Sequence, residues 1–294
     1  MTHRERILHT LRGDATDRRA RGEFFIADEF VRAFLHMDGA VEFQHRRAVV
    51  EQLDLDIAPV AFSAGWGTSD QPDEDGALDA LMRWRAESDR FVFAVIDGPF
   101  SAAVKARGFE MLMRYLHSAP QFARQDFERG AAEALVTARA VRDAGADGVV
   151  LGEDLAYHRA TFFSPKQLRE LYFPELHRAA RGIRALGLAV FFHSDGNLNA
   201  ILDDLAACEL DGIQGLEPDA GMQIGAVRAR VGDALTLWGN LSFDFLGAPR
   251  TDVEIAAAVH EIETANGGRA RWILGSCGGL TQGMNIETVK RVYA

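Results

Sequence analysis

Eight short apolar runs, separated by longer segments with helical signals, constrain the fold of this 294-residue chain more than any other feature. Most of the runs are continuous rather than alternating, as expected for parallel strands that are covered on both faces. They lie at residues 24–27, 57–62, 91–96, 149–151, 188–192, 212–216, 235–238 and 272–274. Eight strands that alternate with helices predict an α/β protein of the (β/α)8 TIM-barrel class. A doubly wound open sheet is the alternative, but the glycine-rich phosphate loop typical of its first turn is missing.

One stretch, residues 68–87, interrupts this alternation between the second and third predicted strands. It begins with an acidic segment from Asp70 to Asp75, which favours a surface insertion that is either a lid or a solvated loop. No shift in composition marks a second domain, so residues 1–294 are predicted to form one barrel domain.

Composition excludes several classes of partner. The net charge is −11, and phosphate binding requires a basic face, so we expect neither nucleic acid nor an anionic membrane surface as a partner. No apolar run approaches the roughly 20 residues needed to span a bilayer. The two cysteines, Cys208 and Cys277, are too few for a disulfide framework. Together with the polar amino terminus, this predicts a reduced, cytoplasmic protein.

Polar side chains follow every predicted strand, where a barrel would bring them to one cavity. They are Asp28, Ser63, Asp97, Glu153 with Asp154, His193 with Asp195, Glu217, Asn240 and Cys277. Isolated polar residues after strands are ordinary in loops, and that interpretation suffices for Ser63. The whole set is better explained by a shared functional cavity.

A metal site is one possible use of this cavity. His193 and Asp195 are two residues apart and would point the same way from an extended backbone. Imidazole, carboxylate and thiolate all bind zinc, so His193 and Cys277 could share an ion with Glu153 or Asp154. The alternatives are a hydrogen-bonding structural histidine and an inert cysteine in a glycine-rich turn.

Other residues near the strand ends are candidates for contact with a substrate or cofactor. Asp97 could bind substrate, or it could cap the turn that Gly98 and Pro99 favour. Tyr157 and His158 follow the acidic pair closely and could form a wall of the pocket.

Several segments resemble the uroporphyrinogen decarboxylase superfamily, in the family's order and over essentially the whole chain. They are Thr2-His3-Arg4-Glu5-Arg6, Ile96-Asp97-Gly98-Pro99-Phe100, Ala144-Gly145-Ala146-Asp147-Gly148, Gly152-Glu153-Asp154-Leu155, Phe162-Phe163-Ser164-Pro165, Phe192-His193-Ser194-Asp195-Gly196-Asn197, Trp238-Gly239-Asn240 and Ile273-Leu274-Gly275-Ser276-Cys277. The resemblance implies a (β/α)8 barrel, in agreement with the strand pattern.

The superfamily includes decarboxylases of uroporphyrinogen and methyltransferases that use a corrinoid. The decarboxylases place an aspartate after a Phe-Ser pair, where this chain has Ala64, and they carry an arginine-rich amino-terminal segment that is missing here. The thiol-using methyltransferases bind zinc through a His-x-Cys pair, a distant cysteine and an acidic residue. The resemblance aligns His193, Cys277 and Glu153 with that set, whereas Asp195 occupies the position of the first cysteine.

The resemblance therefore implies a methyltransferase that moves a methyl group between a corrinoid and a thiol or tetrahydrofolate. The corrinoid would be methylcobalamin or the cofactor of a carrier protein. Zinc would bind Glu153, His193 and Cys277, while Asp97, Asp154 and Asp195 would act as catalytic carboxylates and Tyr157, His158 and Asn240 would contact the cofactor. The alternatives are a decarboxylase with a non-standard substrate and a non-catalytic protein that binds a corrinoid or tetrapyrrole.

Overall fold

A computed structural model describes residues 1–66 and 72–294 of the chain. Eight parallel strands form a nearly closed barrel in the order β1-β10-β9-β8-β7-β4-β3-β2. The barrel strands are β1 (Ala20–Arg21), β2 (Ile57–Ala61), β3 (Phe91–Asp97), β4 (Gly148–Gly152), β7 (Ala189–His193), β8 (Gly212–Gln214), β9 (Thr236–Trp238) and β10 (Trp272–Leu274). β5 (Ala156–Tyr157) and β6 (Ala160–Thr161) form a separate antiparallel hairpin. The predicted (β/α)8 barrel is confirmed.

Helices surround the barrel. They are α1 (His3–Arg12), α2 (Asp28–Leu35), α3 (Phe43–Gln52), α4 (Glu74–Glu87), α5 (Pro99–Arg107), α6 (Phe109–Ser118), α7 (Pro120–Asp143), α8 (Pro165–Gln167), α9 (Phe173–Ala185), α10 (Leu202–Ala206), α11 (Ile224–Val231), α12 (Phe243–Gly247), α13 (Asp252–Ala265) and α14 (Ile286–Tyr293). A π-helical segment, Leu168–Tyr172, joins α8 to α9. None of the described helices is both long and apolar enough to cross a membrane.

The inside of the barrel is filled by large apolar side chains that the continuous runs supply. Phe93 lies 5.2 Å from Phe191 and 5.4 Å from Trp238 between ring centroids, and all three side chains are fully buried. Ile7 on α1 joins this cluster, so α1 packs on the barrel itself. A larger cluster lies between the strands and the surrounding helices. Because both faces of each strand are covered, the strands need no polar positions until they end.

The register of the parallel strands brings their carboxyl ends to one level. Asp97 pairs with Gly152, Gly152 pairs with His193, and His193 pairs with Gln214. The loops after β3, β4, β7 and β8 therefore meet at the same mouth of the barrel, where a (β/α)8 protein carries its active site.

The barrel closes between β1 and β2 through a buried aspartate, without a regular strand ladder. The main-chain N–H of Asp56 donates to the carbonyl of Arg21, and the Asp56 carboxylate accepts from the N–H of Arg21, each at 2.8 Å. The same carboxylate, fully buried, forms ion pairs with Arg6 and Arg18. This contact, which we call the seam, is thus stabilised by buried ion pairs as well as by hydrogen bonds of the main chain.

The structure differs from the predicted insertion at 68–87. Residues 67–71 lie outside the described residues, and Glu74–Glu87 form α4, the helix between β2 and β3. Asp73 caps its first turn, while Ala77, Leu81 and Trp84 are buried. Of the acidic residues that suggested a solvated loop, Asp73 is the N-cap of this helix and Glu74 and Asp75 lie in its first turn, where negative charge is favoured.

The first predicted strand is also displaced. β1 is formed by Ala20–Arg21, whereas the predicted run at 24–27 makes only an isolated bridge between Ile26 and Leu280. The run still lines the barrel, since Phe24 belongs to the interior cluster.

Candidate active site at the barrel mouth

Two carboxylates converge on one imidazole nitrogen at the carboxyl ends of β4 and β7. His193 Nε2 lies 3.4 Å from Asp154 Oδ1 and 4.0 Å from Asp195 Oδ1. Among residues 1–66 and 72–294, these three are the group whose potential ligand atoms lie within 4.8 Å of one another. The structure thus brings together three of the residues predicted for the site. We call this group the mouth cluster.

One carboxylate oxygen of the mouth cluster is buried and lacks a hydrogen-bond donor among the described residues. Asp195 Oδ1 is sealed from solvent and has no hydrogen-bond partner in the described part of the chain. Burial, together with the negative charges of Asp154 and Glu217, raises the pKa of Asp195, although His193 opposes this. A buried acceptor without a donor is costly. A cation or a proton at this position would remove that cost, so the donor set fits a divalent metal ion.

The imidazole and its nearer carboxylate shift each other's pKa in opposite directions. Burial alone would lower the pKa of His193, but the hydrogen bond and charge of Asp154 outweigh it and leave that pKa raised. For Asp154, burial would raise the pKa, but His193 outweighs it and the pKa is lowered. Asp154 has a positive φ of 48°, a rare conformation for a residue other than glycine and one that clusters at functional sites.

Neighbouring groups fix the orientation of the His193 ring. Its Nδ1 lies 2.5 Å from Gln214 Oε1, and the amide nitrogen of Gln214 donates to the carbonyl of Ser276 at 3.0 Å. Phe24 stacks on the ring with 4.1 Å between centroids. The nitrogen that faces the two carboxylates is therefore always Nε2.

The structure does not bring Glu153 to the mouth cluster. Its fully buried carboxylate accepts from the N–H groups of Phe100 and Ser101 at the start of α5 and from the hydroxyl of Tyr172. Burial raises the pKa of Glu153 to about 8, and these hydrogen bonds oppose the rise. A Cβ at Gly98 would lie 2.4 Å from this carboxyl group, so only glycine leaves room for it. Glu153 joins β4 to α5, and its neighbour Asp154 faces the mouth.

Cys277 lies near the mouth cluster but outside it. Burial, followed by the charges of Asp195 and Glu217, raises the pKa of its thiol to about 12. The loop that carries it is held by Glu23, whose buried carboxylate accepts from the N–H and hydroxyl of Ser276 at 3.0 and 2.6 Å. The converging ligand atoms belong to Asp154, His193 and Asp195, and the role of Cys277 as a zinc ligand stays a prediction.

Asp97 lies in the adjoining wall of the mouth. Its carboxylate accepts from the Ser63 hydroxyl at 2.6 Å and from the Lys105 ammonium at 2.8 Å. Lys105 also donates to Ser63 at 2.9 Å. Asp97 is thus the anchor of an ion pair at the ends of β2 and β3, and the mouth cluster does not include it.

The three predicted cofactor contacts fall in two places. Tyr157 and His158 lie on the β5–β6 hairpin, where both are exposed and Tyr157 stacks on Phe162 with 5.7 Å between centroids. The Tyr157 carbonyl accepts from the N–H of Asn197, so the hairpin rests on the loop that carries Asp195. These two side chains are available to a ligand at the rim.

Asn240, by contrast, is 7% exposed, and its amide binds the backbone of the loop after β8. The amide nitrogen donates to the carbonyls of Leu216 and Met222, and its oxygen accepts from the N–H of Ile224. Both polar atoms of its side chain are thus bonded to the backbone, which favours a structural role, and contact with a cofactor stays a prediction.

Two residues of the site were not among the sequence candidates for a specific role. Gln214 ends β8, and its signal was a polar amide inside an otherwise apolar run. Glu217 accepts from the N–H of Gly196 at 3.1 Å and adds negative charge to the mouth. The sequence placed Glu217 at a strand end without indicating a partner.

The fold and the mouth cluster define a (β/α)8-barrel protein with a histidine–carboxylate site at the carboxyl ends of its strands. Residues 69–294 match the uroporphyrinogen decarboxylase (URO-D) family, and the chain belongs to this family. The resemblance drawn from the sequence is confirmed.

Two relatives that the chain resembles in sequence are methyltransferases. The chain is 24% identical, over 73% of its length, to a methylcobamide:CoM methyltransferase of Methanosarcina barkeri strain Fusaro, and 23% identical over 61% to a second protein of that name from the same species. It spans 60% and 51% of the length of these two relatives.

Solved structures share the fold. A methyltransferase from Methanosarcina mazei aligns over 99% of this chain and 97% of its own, with a TM-score of 0.81 and 19% identity. A B12-independent methionine synthase from Shewanella aligns over 74% of this chain and 63% of its own, with a TM-score of 0.52 and 13% identity.

Proposed function

We propose that this protein transfers a methyl group between a corrinoid and a thiol at the barrel mouth, with a divalent metal ion, zinc, bound by Asp154, His193 and Asp195. The observation that carries the proposal is the convergence of two carboxylates on His193 Nε2, with one of their oxygens buried and unpartnered. The reaction class comes from the similarity to methylcobamide:CoM methyltransferases, and the candidate ligands come from the geometry.

The spacing of the three ligand atoms supports the metal. For a tetrahedral zinc ion with bonds of about 2.0–2.1 Å, neighbouring ligand atoms lie about 3.3–3.4 Å apart. The separation between His193 Nε2 and Asp154 Oδ1 is 3.4 Å, and Asp195 Oδ1 lies 4.0 Å from the same nitrogen. Two oxygens and one nitrogen form a harder donor set than one with thiolates. Three protein ligands leave a fourth position for the acceptor.

The proposed ion would act on the acceptor. When bound, zinc lowers the pKa of a coordinated thiol, so that the sulfur reacts as a thiolate. The methyl group then passes to sulfur, the electron pair of the cobalt–carbon bond stays on the corrinoid, and the thiol proton is released. Asp154 and Asp195 compensate the positive charge of the ion, while the buried wall around His193 limits access of water. We propose that Tyr157 and His158, which are both exposed, contact the methyl donor at the rim.

A porphyrinogen substrate fits this mouth poorly. Asp154, Asp195 and Glu217 make it acidic, and a substrate with many carboxylates would be repelled. Ala64 stands where the decarboxylases of the family have a catalytic aspartate. The cation in the adjoining wall, Lys105, is already paired with Asp97.

The test is methyl transfer from methylcobalamin, followed through the absorbance change on demethylation, with a thiol and with tetrahydrofolate as alternative acceptors. We expect zinc-dependent demethylation with the thiol. Transfer to tetrahydrofolate without zinc would favour the second acceptor and refute the metal role. Since the relatives' name refers to a methylcobamide, a methylated corrinoid carrier protein is proposed as the natural donor and should be tested alongside the free cofactor.

Variants of the three proposed ligands, compared with a control variant outside the cluster, distinguish loss of the metal site from a general loss of activity. Asp154→Asn and Asp195→Asn keep the size of the side chain but remove a ligand charge, and each should lower zinc affinity and activity. Asp219→Asn, at an exposed acid on the loop after β8, is the control. His193→Ala should abolish activity. Wild-type rates in all three cluster variants would refute the assignment of the site.

A further inference from the structure

We propose that Gln214 is a positioning residue that keeps the hydrogen of the neutral His193 ring on Nδ1, so that the Nε2 lone pair faces Asp154 and Asp195. The position of the hydrogen on the ring follows from the geometry alone, and only its consequence for metal binding rests on the proposed function. The side chain of Gln214 is fully buried at the end of β8, directly beside His193 in the strand register.

The contacts of the Gln214 amide determine its orientation. Its Nε2 faces the carbonyl oxygens of Ser276 at 3.0 Å and Cys277 at 3.4 Å. Carbonyl oxygens only accept hydrogen bonds, so the donating NH2 group must point to them. The amide oxygen therefore points to His193 Nδ1, at 2.5 Å. Because an amide oxygen only accepts, Nδ1 must carry the hydrogen.

This hydrogen bond determines the chemistry of the opposite nitrogen. With the hydrogen on Nδ1, the neutral ring presents the Nε2 lone pair to Asp154 and Asp195, and that lone pair can bind a cation. Without Gln214, the two carboxylates would favour a hydrogen on Nε2, which would donate to Asp154 and occupy the metal position. Metal-binding histidines are commonly oriented by such a partner on the other nitrogen, and loss of that partner weakens metal binding about 10–100-fold.

The same amide couples the ring to the Cys277 loop. Ser276, whose carbonyl receives the Gln214 amide, is itself bound by Glu23 through its N–H and hydroxyl. Phe24, the neighbour of Glu23, stacks on the His193 ring. Gln214 is thus held on the side away from the ring, and its oxygen cannot turn away from Nδ1 without breaking two hydrogen bonds.

The decisive experiment is long-range ¹H–¹⁵N NMR of histidine-labelled, metal-free protein, at a pH where the ring is neutral. Comparison with His193→Asn assigns the His193 signals among the nine histidines. We expect wild-type protein to carry the hydrogen on Nδ1, and Gln214→Leu to shift it to Nε2. Either an Nε2-protonated ring in wild-type protein or an unchanged tautomer in Gln214→Leu overturns the proposal.

Zinc affinity, measured by competition with a chelator, gives the second readout. Gln214→Leu should weaken binding about 10–100-fold, whereas Gln214→Glu, which keeps an acceptor for Nδ1, should recover part of the loss. Gln223→Leu is the control, because Gln223 is exposed and bonds only to a carbonyl in the loop after β8. Unchanged affinity in Gln214→Leu overturns the consequence for metal binding. If wild-type protein binds no zinc, the proposed function fails, and the NMR result still decides the role of Gln214.

Discussion

The buried carboxyl group of Glu23 should make the stability of this barrel depend on pH. Glu23 lies fully buried behind the Cys277 loop and accepts from Ser276 and from the Tyr293 hydroxyl. Burial raises its pKa from 4.5 to about 7, and these hydrogen bonds oppose the rise. The native state therefore keeps the proton to a higher pH than the unfolded chain does.

The sign and size of the effect follow from linkage. Below about pH 4.5 the group is protonated in both states, and its contribution to stability is fully present. As pH rises towards and through 7, the unfolded chain ionises first, and the free energy of unfolding falls. The difference between 4.5 and about 7 corresponds to about 3 kcal/mol, with no discount for solvent because the group is buried.

Glu23→Gln isolates this contribution. The amide has the same shape, its oxygen can accept from the Ser276 N–H, and its NH2 can donate to a rotated hydroxyl of Ser276 or Tyr293. We expect the variant to lose about 3 kcal/mol less stability than wild-type protein between pH 4.5 and 8. Urea unfolding at several pH values, for wild type and variant, gives the difference. Other titrating groups cancel in this comparison.

Glu261→Gln, at an exposed position of α13, provides the control and should follow the wild-type curve. Parallel curves for wild type and Glu23→Gln would refute the reasoning, since they would mean that Glu23 ionises alike in the folded and unfolded states. A variant destabilised equally at every pH would show that only the hydrogen bonds matter.

Three further predictions concern the site and its support. Cys277→Ser should keep zinc affinity within about twofold, and the wild-type thiol should react slowly with iodoacetamide at pH 8, because burial raises its pKa to about 12; rapid alkylation or loss of metal would contradict this. Asn240→Ala should lower the free energy of unfolding by about 2–4 kcal/mol in urea titrations, since it leaves buried carbonyls of Leu216 and Met222 without a donor; a neutral effect would refute its structural role. Phe191→Ala should cost about 3–5 kcal/mol by the same measurement, because it opens a cavity inside the barrel, and a loss below 1 kcal/mol would contradict that packing.

The barrel could be predicted from sequence because its strands are buried on both faces. Seven of the eight apolar runs overlap observed strands, and only the first run is displaced from β1. Burial of both faces leaves a continuous apolar signal, which needs no knowledge of distant contacts. The exact ladder of the first strand depends on how β10 and the loop before Leu280 meet it, and no local pattern records that.

The site was harder to predict for a geometric reason. Glu153 and Asp154 are adjacent and chemically alike, and neighbouring residues at a strand end point in different directions. Which of them faces the mouth is determined by the space at Gly98, by the start of α5 and by the backbone turn at Asp154. These contacts lie far apart in sequence. The resemblance to the family favoured Glu153, and the structure places Asp154 beside His193 instead.

The seam between β1 and β2 has a consequence for the motions of the molecule. Elsewhere neighbouring strands share ladders, but here a single aspartate, Asp56, with Arg6 and Arg18, replaces one. Local opening begins where the fewest backbone hydrogen bonds must break. The amide hydrogens of Asp56 and Arg21 should therefore exchange long before those of β4. The barrel should open locally along the seam while the remaining strands stay paired.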